Sequence, residues 1–107
     1  MKSITASELA GLLQLRDAPR LLDVREPEEF EIASLPGARL VPLGQIPASI
    51  EQIADWKDEA IVVYCHHGIR SMHAINFLTH AGFTNLANLS GGIDAWSREV
   101  DSSVPRY

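Results

Sequence analysis

Cys65, His66, His67, Gly68, Ile69, Arg70 and Ser71 place a thiol, two imidazoles, a guanidinium and a hydroxyl within seven consecutive residues, and Cys65 is the only cysteine in the chain. A thiol does chemistry as its thiolate, which backbone N–H groups, a nearby cation or the positive end of a helix dipole all favour. The apolar, β-branched run Ala60–Tyr64 stops immediately before Cys65, and Met72, Ile75, Phe77 and Leu78 follow at helical spacing. These runs read as a buried parallel strand and a helix. The cysteine therefore sits on a strand-loop-helix turn, which aims N–H groups at whatever occupies the loop. The first expectation is an activated nucleophile in an anion-binding cradle.

Charge patterning supports this independently. Acids outnumber bases 14 to 9, for a formal net charge of −5, yet residues 60–93 contain no Asp or Glu. All four histidines, His66, His67, His73 and His80, fall in that window together with Arg70. A cation in the first turn of a helix opposes the dipole by a few tenths to about 1 kcal/mol. A bound anion would account for Arg70; an arginine pointing into water is the plainer alternative.

The elements that must position this loop can be read in order. Thr5-Ala6-Ser7-Glu8 has the form of a capping box ahead of a helix through Leu9, Leu12, Leu13 and Leu15. Leu21–Val24 reads as a short strand, Pro27–Phe30 as one helical turn, and Ala38–Val41 as a strand after the Pro36-Gly37 turn. A helix is expected over Leu43–Trp56 with Ile46, Ile50 and Ile53 inward, then the strand at 60–64 and a helix from Arg70 to His80 capped by Ala81-Gly82. A strand within Thr84–Leu89 and a helix over Gly92–Glu99 complete the order, with 102–107 expected as a loose C-terminal tail. Strands alternating with helices imply α/β architecture with a parallel sheet, whose ligands bind at the carboxyl ends of the strands.

Length and composition bound the rest. A chain of 107 residues matches one domain that buries roughly 65% of its unfolded surface. A lone cysteine makes no internal disulfide. The first residues lack a signal-peptide pattern, and no apolar run approaches the ~20 residues of a membrane span. The simplest location is cytoplasmic, with no membrane partner. Nine scattered Lys and Arg give no basic face for nucleic acid.

Three strings then carry a family resemblance: Cys65–Ser71, Leu22–Phe30 with Leu35–Ala38, and Leu89–Trp96. Together, in this order and spacing, they resemble a rhodanese (sulfurtransferase) domain over about Ile4 to Trp96. The resemblance implies a single domain, core about 4–99, with a three-layer α/β/α fold. Its five-stranded parallel sheet runs in the order 1-5-4-2-3, with the cysteine at the tip of strand 4. It also implies a two-step reaction: the Cys65 thiolate takes a sulfane sulfur from a small anionic donor such as thiosulfate. The resulting persulfide hands that sulfur to a thiophilic acceptor, either cyanide or a small or protein thiol. No cofactor or metal is required.

Within that resemblance, Cys65 through Arg70 makes a six-residue loop of the sulfurtransferase kind, one shorter than the loop of the phosphatase and arsenate reductase members. The expected substrate-binding residues are His66, His67, Gly68, Ile69, Arg70 and Ser71. Gly68 permits positive φ, Arg70 holds the anionic donor or departing sulfite, and the Ser71 hydroxyl either donates to the persulfide or, the favoured role, caps the helix. His66 and His67 are expected to diverge at the pocket mouth, with His73 and His80 on the surface. Asp23 and Arg25 fall on the family's structural motif, where the acid braces loops. Phe30 and Trp96 read as core anchors, and Gly91-Gly92 as a tight turn near the rim. Ala33-Ser34-Leu35 stands where many members carry Gly-His-Ile, which bears on local packing. The alternative is a redox-sensing or partner-binding module on the same scaffold.

Overall fold

The computed structural model describes residues 1–107. Five parallel strands form one sheet: β1 (Ser3–Ile4), β2 (Arg20–Asp23), β3 (Arg39–Leu40), β4 (Ile61–Tyr64) and β5 (Leu86–Leu89). Their spatial order is β1-β5-β4-β2-β3, the order the resemblance implies. The register sets Leu22 beside Val63 and Val63 beside Asn88. β4 is thus the central strand, buried along its whole length, as expected for a parallel sheet covered on both faces.

Side chains alternate across the sheet with a period of two, and the two faces fill separate cores. Leu22, Val24, Ile61, Val63 and Cys65 point to one face, where Ile46, Ile53, Trp56, Ala74, Ile75 and Leu78 cover them. Leu21, Val62, Tyr64 and Leu89 point to the other, against Ala6, Leu9, Leu35, Ile93 and Trp96. Cys65 continues the parity of β4 and so faces the helix that follows it.

The helices are α1 (Ala6–Leu12), α2 (Pro27–Ile32), α3 (Ile46–Ser49), α4 (Ile69–His80) and α5 (Gly92–Glu99). The Thr5–Glu8 capping box is present in both directions: Glu8 N donates to Thr5 Oγ1 at 3.1 Å, and Thr5 N to Glu8 Oε1 at 2.9 Å. Pro27 opens α2, where its missing N–H and fixed φ are compatible with a helix start. At the end of α4, Phe83 N donates back to Leu78 O at 3.1 Å, and Gly82 takes positive φ, the C-cap expected there.

Three expectations are corrected here. The single helix over Leu43–Trp56 is instead a short α3 between 3₁₀ turns at Leu43–Gln45 and Ile50–Trp56; Pro47, which lacks an N–H and whose ring crowds the carbonyl four residues back, accounts for the break before α3. On α4 the inward face is Ser71, Ala74, Ile75 and Leu78, while Met72 and Phe77 are 46% and 41% exposed. Phe30 is only half-buried, whereas Trp96 is a core residue as expected.

The segment 102–107 is not loose. Ser97 Oγ donates to Val104 O, Arg106 pairs with Asp94 at 3.0 Å, and Tyr107 returns to the end of the sheet that carries Cys65. Its backbone has no regular structure, so side-chain bonds rather than a ladder hold it in place.

Candidate active site

Cys65 follows the last residue of β4 and is 1% exposed. Its Sγ accepts hydrogen bonds from Gly68 N at 3.1 Å and Ser71 N at 3.4 Å, with Ser71 Oγ at 3.5 Å. Two backbone donors converging on one sulfur stabilise negative charge there. The Gly68 N–H turns back to the sulfur because Gly68 takes φ +113°, a conformation in which a Cβ is strained. The first N–H groups of a helix lack intrahelical acceptors, and at the start of α4 that of Ser71 is spent on Sγ.

Ser71 does not cap the helix; Gly68 occupies the N-cap position. The Ser71 hydroxyl donates instead to Asn88 Oδ1 at 2.5 Å, while Asn88 Nδ2 donates to Gly68 O at 3.1 Å. A hydroxyl has one proton to give, so Ser71 presents a lone pair to Cys65. Asn88, a buried amide on β5, thus ties the middle of the loop to its C-terminal end. Its sequence signal is a single polar residue inside the apolar run Leu86–Leu89.

The other side of the loop is held by α5. Ile93 N donates to Cys65 O at 2.9 Å and Asp94 N to His66 O at 3.1 Å. Gly92, at φ +61°, makes this approach possible: a Cβ there would lie 2.5 Å from Cys65 O. Overpacking against backbone at a positive φ costs roughly 1–3 kcal/mol. Gly92→Ala is expected to destabilise the fold by about that much, read from urea denaturation, and to slow Cys65 alkylation, measured with iodoacetamide on folded protein.

A chain of charged groups flanks the loop. Arg70 Nη1 and Nη2 donate to the two oxygens of Glu29 at 2.6 and 2.9 Å. Tyr107 Oη donates to Glu29 Oε2 at 2.6 Å and accepts from Arg25 Nη1 at 2.8 Å. Arg25, fully buried, pairs with Asp23 through Nε at 2.9 Å and Nη2 at 2.6 Å, and its Nη2 also reaches Ala33 O at 2.6 Å. Asp23 and Arg25 therefore brace this end of the sheet, in line with a structural role. Leu35 N donates to Tyr64 Oη at 3.2 Å, so the Ala33–Leu35 segment is pinned at both ends despite its lack of histidine.

The cradle is acid-free in sequence but not in space. Glu29 stands 41 residues from Arg70, and no local signal marks that pairing. Its bond to Arg70 holds its carboxyl down at about 2, against burial, with Tyr107 assisting. A carboxylate depressed in the folded state contributes stability that is complete above its ordinary value of 4.5 and is lost as pH falls through about 2. Glu29→Gln is expected to be less stable than wild type at neutral pH. The gap should close between those two values in urea titrations run at stepped pH.

His66 and His67 do not diverge. Their ring centroids lie 4.0 Å apart, and His66 stacks on Tyr107 at 4.0 Å with 7° between planes. Burial, with the charge of His67 beside it, holds the His66 imidazole below its usual value. His66 Nε2 is buried with no partner in the chain. His67 and Ile69 are exposed at the rim. Burial and the Glu29 bond push the Tyr107 phenol up to about 12, so at neutral pH it remains a hydrogen-bond donor. The arrangement offers a buried thiol in a cage of donors, with a cation and its counter-ion alongside. That is equipment for nucleophilic attack with a covalent intermediate on sulfur.

Residues 5–99 match the rhodanese-like domain family. The chain is 40% identical over 114 aligned residues to a chloroplastic rhodanese-like/PpiC domain-containing protein of Arabidopsis thaliana, covering 100% of this chain and 38% of that protein. A sulfurtransferase of Allochromatium vinosum is 38% identical over 98 aligned residues, covering 92% of this chain and 90% of that one. Among solved structures, a rhodanese-like domain protein from Staphylococcus aureus superposes with a TM-score of 0.85 at 31% identity, covering 100% of this chain and 99% of that one. The chain spans well under half the length of the first curated relatives, 38% and 27% of two of them.

Proposed function

The chain belongs to the rhodanese-like domain family, and we propose that it is a sulfurtransferase whose nucleophile is Cys65. The observation that carries this reading is the convergence of the Gly68 and Ser71 N–H groups on the Cys65 sulfur at the mouth of β4. In the first half-reaction the Cys65 thiolate attacks the sulfane sulfur of a donor such as thiosulfate. A sulfur–sulfur bond forms to Cys65, the donor's own sulfur–sulfur bond breaks, and sulfite leaves with the electron pair.

The persulfide left on Cys65 places its terminal negative charge within the loop His66–Ser71, whose N–H groups and helix start stabilise it as an oxyanion hole stabilises an oxyanion. In the second half-reaction a thiophilic acceptor attacks the outer sulfur and the Cys65 thiolate departs. With no second cysteine in the chain, the persulfide does not resolve to an internal disulfide, so the acceptor comes from outside: cyanide in an assay, or a small or protein thiol. His66, His67, Gly68, Ile69, Arg70 and Ser71 form the donor-binding loop in this reading.

The test is thiocyanate formation from cyanide with thiosulfate or with an organic thiosulfonate as donor, run alongside hydrolysis of a phosphate ester. Turnover with a sulfane donor and none with the ester supports sulfur transfer. Ester hydrolysis without thiocyanate would overturn it in favour of phosphatase chemistry.

A further inference from the structure

The loop offers a doubly charged sulfur donor no unpaired cation. Arg70 is the only Lys or Arg in residues 60–93, and its charge is paired with the Glu29 carboxylate, to which each terminal nitrogen donates one hydrogen bond. The side chain of Glu29 is only 18% exposed and is held from a third direction by the Tyr107 hydroxyl. Arg25, the other guanidinium in this network, is committed to Asp23. The two arginines and two carboxylates sum to zero charge. His66, beside the nucleophile, is biased by burial toward its neutral form.

What remains for an anion is the set of backbone N–H groups, which match a single negative charge on sulfur. The desolvation cost of an ion rises with the square of its charge, so a dianion costs about four times what a monoanion of the same size does. The rim adds a second preference. Ile69, within the loop, is 68% exposed. Its apolar side chain suits a carbon-bearing donor better than an inorganic oxyanion.

On the premise that Cys65 transfers sulfur, we infer that Glu29 determines donor specificity: its pairing with Arg70 selects singly charged organic sulfane donors, such as thiol persulfides, over dianionic thiosulfate. The step balances without a redox partner. The Cys65 thiolate attacks the outer sulfur of R–S–S⁻, the donor's sulfur–sulfur bond breaks, and RS⁻ leaves with the electron pair. Two negative charges stand on each side, and the sulfane sulfur keeps its oxidation level. Tyr107 is a positioning residue here: its donated bond fixes the Glu29 carboxylate against Arg70 rather than touching donor.

The experiment compares thiosulfate with methanethiosulfonate anion, a near-isostere in which a methyl group replaces one charged oxygen. The readout is the ratio of their kcat/KM values, in wild type, Glu29→Gln and Tyr107→Phe. Wild type is expected to favour methanethiosulfonate. Glu29→Gln should move the ratio toward thiosulfate by about tenfold, as expected for removing one charge a few ångströms away at a partly buried site near the surface. Tyr107→Phe, which keeps the ring stacked on His66, should move it the same way by less, and added salt should shrink both shifts.

A wild type that prefers thiosulfate, or a ratio unmoved by Glu29→Gln while both donors still turn over, would overturn the inference and leave sulfur transfer standing. No sulfur transfer from either donor in wild type would overturn both readings. Should Glu29→Gln fail to fold, Tyr107→Phe alone decides, by the direction of its ratio.

Discussion

Cys65→Ser is expected to abolish sulfur transfer while leaving the fold intact. Serine keeps a hydroxyl that accepts the Gly68 and Ser71 N–H groups now directed at Sγ, so no buried donor is orphaned and stability should change by about 1 kcal/mol or less. Chemistry is another matter. A serine hydroxyl is a weak nucleophile unless an adjacent base activates it, and the only neighbouring imidazole, His66, is stacked on Tyr107 with no hydrogen bond toward residue 65. Removing an enzyme's nucleophile costs on the order of 10⁴–10⁶ in turnover. Thiocyanate formation should fall below detection, with urea unfolding close to that of wild type. Residual turnover within tenfold of wild type would place the nucleophile elsewhere.

Arg25→Leu is expected to have the largest effect on stability. Arg25 and Asp23 are both fully buried and joined by an ion pair of 2.6 Å. Arg25 also anchors Ala33 O and Tyr107 Oη. Replacing it strands the Asp23 charge in the core next to the central strand, since Asp23 pairs in register with Tyr64. Breaking a buried pair on one side costs about 3–5 kcal/mol, a large share of the 5–15 kcal/mol typical of a whole domain. Urea denaturation should show a midpoint lowered accordingly. The double variant Asp23→Asn/Arg25→Leu should recover part of the loss, because no uncompensated charge remains. Recovery is the discriminating result: equal loss in single and double variants would mean that packing, not charge, sets the cost. Activity should fall with Arg25→Leu as well, through release of Tyr107 and with it Glu29.

The parts of this site legible from sequence are those written in consecutive residues. The thiol at the end of Ala60–Tyr64, the positive-φ glycine at 68 and the Gly91-Gly92 turn are all local features, and each lies where local reasoning puts it. The strand order followed from resemblance, not periodicity: β1 and β3 are two residues long, too short to show an alternation. Pairings between distant residues left no signal. Glu29 meets Arg70 across 41 positions, and Tyr107 meets Arg25 across 82. The window free of acids in sequence therefore gave a cradle that looked more positive than the folded one. The segment 102–107 reads as a loose tail, yet Arg106, Tyr107 and the Val104 carbonyl each find a partner on α2, on α5 or at Arg25 just beyond β2. Adjacency in sequence suggests that His66 and His67 diverge. The loop after β4 is not extended, and it turns both rings to one side.

The most direct test of the account is to trap the intermediate. Wild-type protein is incubated with methanethiosulfonate or thiosulfate in the absence of acceptor, freed of donor, and weighed intact and as peptides by mass spectrometry. The expected result is a gain of one sulfur atom per chain, located on the peptide containing Cys65, lost on adding cyanide with one thiocyanate released per chain. Turnover without any sulfur retained on Cys65, or sulfur found on another residue, would contradict it.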